Sequence, residues 1–212
     1  MKKIIFDLDN TLMMFDKKYI NSYCKVLKNN NFDSSYDQAL SLFESVDRYE
    51  KQGKKYNKQD LLDFVNKDLN KNYKMKLVDE ILDIIGTCWI NPVSLELVDT
   101  LKYLSTKYEL YVLTNWFTEP QAKRLENVGI LKYFKKVVGA DMVSPKPALE
   151  AFSYIIKDTN LKDCMMIGDN IDIDIKGALN AGIKTILYDY KNIYNGFTGN
   201  RITKIEELKE ML

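Results

Sequence analysis

Ile4-Ile5-Phe6-Asp7-Leu8-Asp9-Asn10-Thr11-Leu12 is the stretch on which the reading of this chain turns. Three apolar residues stop abruptly at a carboxylate. A second carboxylate follows two positions later, and a hydroxyl two after that. A short apolar run bounded by polar residues reads as a buried strand, here with an acidic cluster at its C-terminal end. The run follows Lys2-Lys3 and ends at Asp7, too early for the apolar region of a secretory signal. No apolar stretch is long enough to span a bilayer. The expectation is a cytoplasmic protein that does not engage a membrane.

Outward from that strand the pattern changes period. Tyr19, Ile20, Tyr23, Val26 and Leu27 recur at helical spacing after Asp16, an expected N-cap. Tyr36, Ala39, Leu40, Phe43 and Val46 do the same. So do Leu61, Leu62, Val65 and Leu69 after Asn57, and then Leu77, Val78, Ile81, Leu82 and Ile85. The spacing predicts about four amphipathic helices over residues 16–88, with no strand between them.

From Pro92 onward strands and helices alternate. Pro92 suits the first turn of a helix whose face is Leu95, Val98, Leu101 and Leu104. Leu110 to Leu113 reads as a strand ending at Thr114-Asn115. A helix follows Thr118-Glu119-Pro120 and runs to Gly129. Val137-Val138 is a short strand, and about Pro147 to Lys157 a helix. Cys164 to Ile167 is a strand ending at Gly168-Asp169, followed by a helix from about Asp172 to a glycine stop at Gly182. Lys184 to Tyr188 is a strand, Asp189 to Arg201 a surface loop, and Lys204 to Leu212 a terminal helix. Such alternation implies a parallel sheet with helices on both faces. The expected fold is therefore α/β, with a doubly wound parallel-sheet core formed by residues 1–15 plus 89–212 and an all-helical domain inserted at 16–88.

Composition removes several function classes. The 212 residues suffice for a core plus a small accessory domain. A formal net charge of +1, without charge blocks, is no electrostatic footprint for a nucleic acid polymer. Cys24, Cys88 and Cys164 are far apart and form no CxxC, so they read as reduced thiols rather than a disulfide framework or a zinc site. Histidine is absent, which excludes every mechanism that needs an imidazole. Chemistry must fall to carboxylates, lysine, hydroxyls, backbone groups or a metal.

Those groups gather at the C-terminal ends of the expected strands, the edge at which open parallel sheets bind ligands. They are Asp7, Asp9 and Thr11, then Thr114-Asn115, then Asp169 with Asp174. Lys146 sits in a loop entering a helix. Carboxylates with a lysine and a hydroxyl make a site for an anion and a metal, and oxygen-only ligands suit Mg²⁺.

Asp7-Leu8-Asp9-Asn10-Thr11-Leu12, Leu113-Thr114-Asn115, Lys146-Pro147 and Gly168-Asp169-Asn170-Ile171-Asp172-Ile173-Asp174 resemble, in order, the four motifs of haloacid dehalogenase-like hydrolases. The run Asp174-Ile175-Lys176-Gly177-Ala178 through Ala181-Gly182 also resembles the family's continuation, so the resemblance spans residues 7 to 182. The resemblance implies Asp7 as nucleophile and Asp9 as general acid and base. It implies Thr114, the Asn115 backbone N–H and Lys146 as phosphate-binding groups, and Asp174 as the residue that orients Lys146 or a metal-bound water. It implies Mg²⁺ between Asp7, the Asp9 carbonyl and Asp169. Members of the superfamily that cleave carbon–halogen or carbon–phosphorus bonds lack the second aspartate, so Asp9 favours phosphate esters. The inserted helices resemble the family's cap, which implies a small phosphorylated metabolite as substrate. Cap-loop residues 48–57, Met13, Met14, Phe15 and Trp116 are candidates to reach it. The expected activity is that of a Mg²⁺-dependent phosphatase acting on a nucleotide or sugar phosphate, as a monomer or homodimer. The alternatives are a phosphomutase and a non-catalytic phosphometabolite-binding protein.

Overall fold

The computed structural model describes residues 2–157 and 159–212. Its sheet is built on β1 (Lys3–Phe6), which pairs in parallel with β2 (Glu109–Leu113) on one side and β4 (Cys164–Gly168) on the other. β3 (Phe134–Val138) lies outside β2, and β5 (Lys184–Tyr188) outside β4. A two-residue β6 (Arg201–Ile202) completes the order β3-β2-β1-β4-β5-β6, parallel throughout. The chain runs outward from β1 to β3, then crosses back to β4. The topological switch point thus lies between β1 and β4, and a crevice opens beyond their C-terminal ends.

Alternation along the strands sorts side chains into two buried layers, as a sheet covered on both faces requires. Ile4 and Phe6 of β1 pack with Leu110, Val112, Ile167 and Ile186 under α5 (Leu95–Ser105) and the C-terminal α9 (Leu208–Met211). Ile5, between them, packs on the opposite face with Met166 and Val138 under α7 (Leu149–Ile156) and α8 (Lys176–Asn180).

Between β1 and α5 the chain forms α1 (Ile20–Asn29), α2 (Tyr36–Glu50), α3 (Lys58–Leu69) and α4 (Met75–Cys88). They share an apolar cluster that includes Tyr23, Leu42, Leu61, Leu77 and Ile81, and that cluster continues into Trp116 and Phe117. Asn57 caps α3 through its side chain, accepting from the Asp60 N–H at 2.8 Å, as its position predicts.

Four expectations need correction. Asp16 does not cap α1; its side chain accepts from the Lys18 N–H in the short 3₁₀ turn that precedes the helix. Pro92 lies before α5, whose N-cap is Ser94, and Leu95 is exposed while Leu97 and Thr100 face inward. The serine hydroxyl can satisfy an open helix N–H and so fixes the start later than the proline. On α2 the stripe is rotated: Tyr36 is exposed and Leu42, Val46 and Tyr49 are buried. Finally, the loop after Asp189 returns as β6. Buried Asp189 accepts from the N–H groups of Ile193 and Tyr194 and pairs with Arg201, bending the chain back beside β5. That strand is too short for periodicity to reveal.

Candidate active site

β1 ends at Phe6, so Asp7 is the first residue beyond the sheet, with its N–H still bonded to the Ile167 carbonyl at 2.9 Å. The chain then closes a tight loop. The Leu8 carbonyl accepts from Thr11, Leu12 and Met13, and Asn10 takes a left-handed φ of 64°, which an asparagine tolerates. The loop carries Asp9 to the crevice while Leu8 and Leu12 anchor it in the core.

Lys146 is buried and bridges two carboxylates, donating to Asp7 Oδ1 at 2.6 Å and to Asp174 Oδ1 at 2.7 Å. Asn115 fixes its backbone on both sides: Nδ2 donates to the Lys146 carbonyl at 2.8 Å, and Oδ1 accepts the Lys146 N–H at 2.7 Å. Asp174 reaches Lys146 because residues Ile171–Ile175 form a π-helical turn in place of the expected α-helical start. Asp174 also accepts the Asn170 N–H at 3.1 Å, while the Asn170 side chain caps the turn by accepting from Asp172 and Ile173. Gly168 permits this approach: a Cβ there would lie 2.4 Å from Asp174 Oδ2. Asp172 is exposed and paired with Lys176.

Asp7, Asp169 and Asp174 bring carboxylate oxygens within 4.8 Å of one another. Burial raises the Asp7 carboxyl from 3.8 to about 8, against the pull of Lys146 and with the added repulsion of Asp174 and Asp169. Burial, then Asp174, raise Asp169 from 3.8 to about 6. Burial works against the charge on Lys146, but Asp174 and Asp7 outweigh it and hold its pKa above the ordinary lysine value. Three crowded carboxylates against one ammonium form an oxygen-only cluster with excess negative charge. It fits a hard divalent cation.

The Asp9 carboxylate points elsewhere. It lies 2.8 Å from Arg124 Nη1 and accepts from Gln121 Nε2 at 3.1 Å, and that amide nitrogen also donates to Thr114 Oγ1 at 3.0 Å. Gln121 and Arg124 share the buried face of α6 (Thr118–Asn127), whose first turn is held by Asp141 accepting from the Thr118 N–H and hydroxyl. Neither residue lies in any of the four motifs. The available signal was two long polar side chains at i and i+3 on the same stripe as buried Leu125.

A cavity of about 460 Å³ lies between this edge and the inserted helices. Asp7, Asp9, Thr114 and Asn115 line its floor, and Phe43, Val46 and Glu50 of α2, with Tyr23 and Trp89, line the other side. Of the segment 48–57, Glu50 lines the cavity and exposed Lys54 and Lys55 do not. Phe15 and Trp116 line it as well, whereas Met13 is buried in the core. Burial, then Asp47 and Asp9, push the Glu50 carboxyl well above the usual range.

Residues 1–182 match the haloacid dehalogenase-like hydrolase family. The HAD-hydrolase YfnB of Bacillus subtilis is 33% identical over 121 residues, a match that covers 54% of this chain and 52% of YfnB. The human N-acylneuraminate-9-phosphatase is 35% identical over 95 residues, 43% of this chain and 38% of that one. The chain thus matches about half or less of these two relatives' length. The pyrimidine 5'-nucleotidase PynA of Streptococcus pneumoniae is 27% identical over 214 residues, covering 92% of this chain and 86% of PynA. A magnesium-bound crystal structure of YfnB superimposes with a TM-score of 0.71 at 19% identity, covering 100% of this chain and 98% of that one, a likeness of fold. With the family matched over most of its length and the same fold observed, the chain belongs to the haloacid dehalogenase-like hydrolases.

Proposed function

We propose that this hydrolase is a Mg²⁺-dependent phosphatase acting on a small phosphate monoester, with residues 16–88 serving as a cap over a core of 1–15 and 89–212. One observation carries the reading. Two carboxylates two residues apart face one cavity, Asp7 clamped by a lysine and Asp9 by an arginine. A nucleophile and an acid–base group need different surroundings, and here Asp7 is buried against Lys146 while Asp9 stays open to the cavity beside Arg124. The phosphatase and nucleotidase among the relatives support the same chemistry.

In this mechanism Asp7 attacks phosphorus in line and forms an aspartyl-phosphate, dividing one difficult hydrolysis into two steps. Asp9 gives a proton to the departing alcohol and then takes one from the attacking water. Lys146 and Thr114 hold phosphoryl oxygens with the Asn115 N–H, and Asn115 fixes the backbone of Lys146. Asp7 and Asp169, with the Asp9 carbonyl, are the proposed metal ligands, and Asp174 orients Lys146. Bound Mg²⁺ would favour the ionised form of Asp7 against the burial that raises its carboxyl, and would neutralise phosphate charge during transfer. The helices 16–88 would close over the substrate and exclude water. The cavity volume and its aromatic wall of Phe15, Phe43, Trp89 and Trp116 support a nucleotide or sugar phosphate.

Phosphate release from nucleotides, sugar phosphates and p-nitrophenyl phosphate, with Mg²⁺ and with EDTA, tests the proposal. Release that Mg²⁺ supports and EDTA abolishes is expected. Isomerisation without release would favour a phosphomutase, and binding without turnover a phosphometabolite-binding protein.

A further inference from the structure

We propose that Arg124, assisted by Gln121, is the positioning residue that holds the Asp9 carboxyl for proton transfer to the leaving group; the inference rests on the phosphatase reading above. Arg124 is the largest fully buried side chain among the described residues, at 0% exposure. An arginine is removed from water only where a counter-charge meets it. The counter-charge is Asp9, 2.8 Å from Nη1. The same nitrogen donates to Gln121 Oε1 at 2.7 Å, and Gln121 Nε2 donates to the other Asp9 oxygen at 3.1 Å. Both carboxylate oxygens are therefore held from one face of α6, while the Asp9 side chain stays 36% exposed toward the cavity.

The clamp also reaches the inserted helices. Arg124 Nε donates to the Trp89 carbonyl at 2.8 Å, at the point where the chain leaves α4. The Trp89 ring stacks on Tyr19 at 5.2 Å, and its indole N–H donates to Ser22. One guanidinium thus joins the exit of the helical insert to Asp9.

The chemistry follows from where charge develops. As the Asp7 oxygen bonds to phosphorus, the bond from phosphorus to the ester oxygen breaks and its electron pair stays on that oxygen. Asp9 first takes the proton that a monoanionic phosphate ester brings; that proton moves to the departing ester oxygen, and Asp9 returns to the carboxylate that Arg124 pairs. A guanidinium fixed there stabilises the charge without reorganising. The benefit scales with the leaving group's need for a proton: large for an alkoxide, small for a nitrophenolate.

The test compares kcat and KM for a sugar phosphate and for p-nitrophenyl phosphate in Arg124→Met, Arg124→Lys and Gln121→Met, with circular dichroism to check folding. For Arg124→Met, kcat on the sugar phosphate should fall about 100-fold, within the range of general acid catalysis, with KM within about threefold. The loss on p-nitrophenyl phosphate should be about tenfold smaller, since that leaving group departs unprotonated. Arg124→Lys should recover part of the sugar-phosphate rate. Equal losses on both substrates, or a loss confined to KM, would overturn the inference. If Arg124→Met does not fold, Gln121→Met keeps the ion pair and should show the same selectivity to a smaller degree; equal losses there overturn it too. A wild-type protein that released phosphate from neither substrate would sink the phosphatase reading and this inference together. Wild-type turnover with unselective variants sinks this inference alone.

Discussion

At the scale of single residues, the site is two carboxylates with different keepers. Asp7 is held by Lys146, which is shared with Asp174, and Asp9 by Arg124 and Gln121. Asp7→Asn should abolish phosphate release while leaving the circular dichroism spectrum unchanged; near wild-type release would remove Asp7 as nucleophile. The same variant tests the electrostatics. Asp7 and Asp169 have folded pKa values of about 8 and about 6, raised from 3.8, chiefly by burial. The folded state therefore keeps protons that the unfolded chain has lost. Their stabilising contribution is complete below about pH 4 and disappears as pH rises through 6 and 8. The metal-free protein should show a Tm that falls between pH 5.5 and 8.5, with Mg²⁺ restoring more of it at the higher pH. Asp7→Asn should flatten that slope. That Asp7, Asp9, Lys146 and Asp169 converge on one sheet edge could be read from the sequence, because strand ends and motif order locate them. Arg124 could not, because a basic residue on a helix is ordinarily solvated and only the packing of α6 against Asp9 buries this one.

At the scale of elements, local chemistry sets the boundaries wherever a side chain satisfies an open backbone group. Asn57 does this for α3, and Asn57→Ala should lower stability by about 1 kcal/mol, measurable as a shift in urea midpoint with unchanged slope. An unshifted midpoint would mean that the cap hydrogen bond contributes nothing net. Where two signals compete, the sequence misleads. Pro92 marks a helix entry by its fixed φ, but Ser94 bonds the Leu97 N–H and begins α5 two residues later. On α2, apolar periodicity mixes two destinations. Leu42 and Tyr49 pack among the inserted helices, while Phe43 lines the cavity, and a hydropathy pattern records both as buried. The π-helical turn at Ile171–Ile175 has no signature of its own in the sequence. It forms where Asn170 caps the turn and Asp174 reaches Lys146 across Gly168.

At the scale of the whole molecule, Tyr56 is one of the places where the inserted helices meet the core, beside the contacts of α4 with α6. The Tyr56 N–H donates to the Ala140 carbonyl at 2.8 Å, and its ring packs against Trp116 and Phe117 at 5.9 and 5.7 Å. Tyr56→Ala should loosen that seat. Hydrogen exchange should quicken over α2 and α3 while β1, β2 and β4 stay protected, and KM should rise more than kcat falls. Uniform exchange across both parts would mean that Tyr56 stabilises the molecule as one unit. The parallel sheet, the helical insert and the gathering of acidic residues at one sheet edge are determined by the sequence alone, because strand and helix periods and the order of motifs are local properties of the chain. The partners of Asp9, the cavity face of α2 and the return of the chain as β6 are decided only by the tertiary structure. Each depends on residues far apart in sequence meeting in a dry interior, where an unpaired charge or backbone group is costly and the arrangement that pairs it prevails.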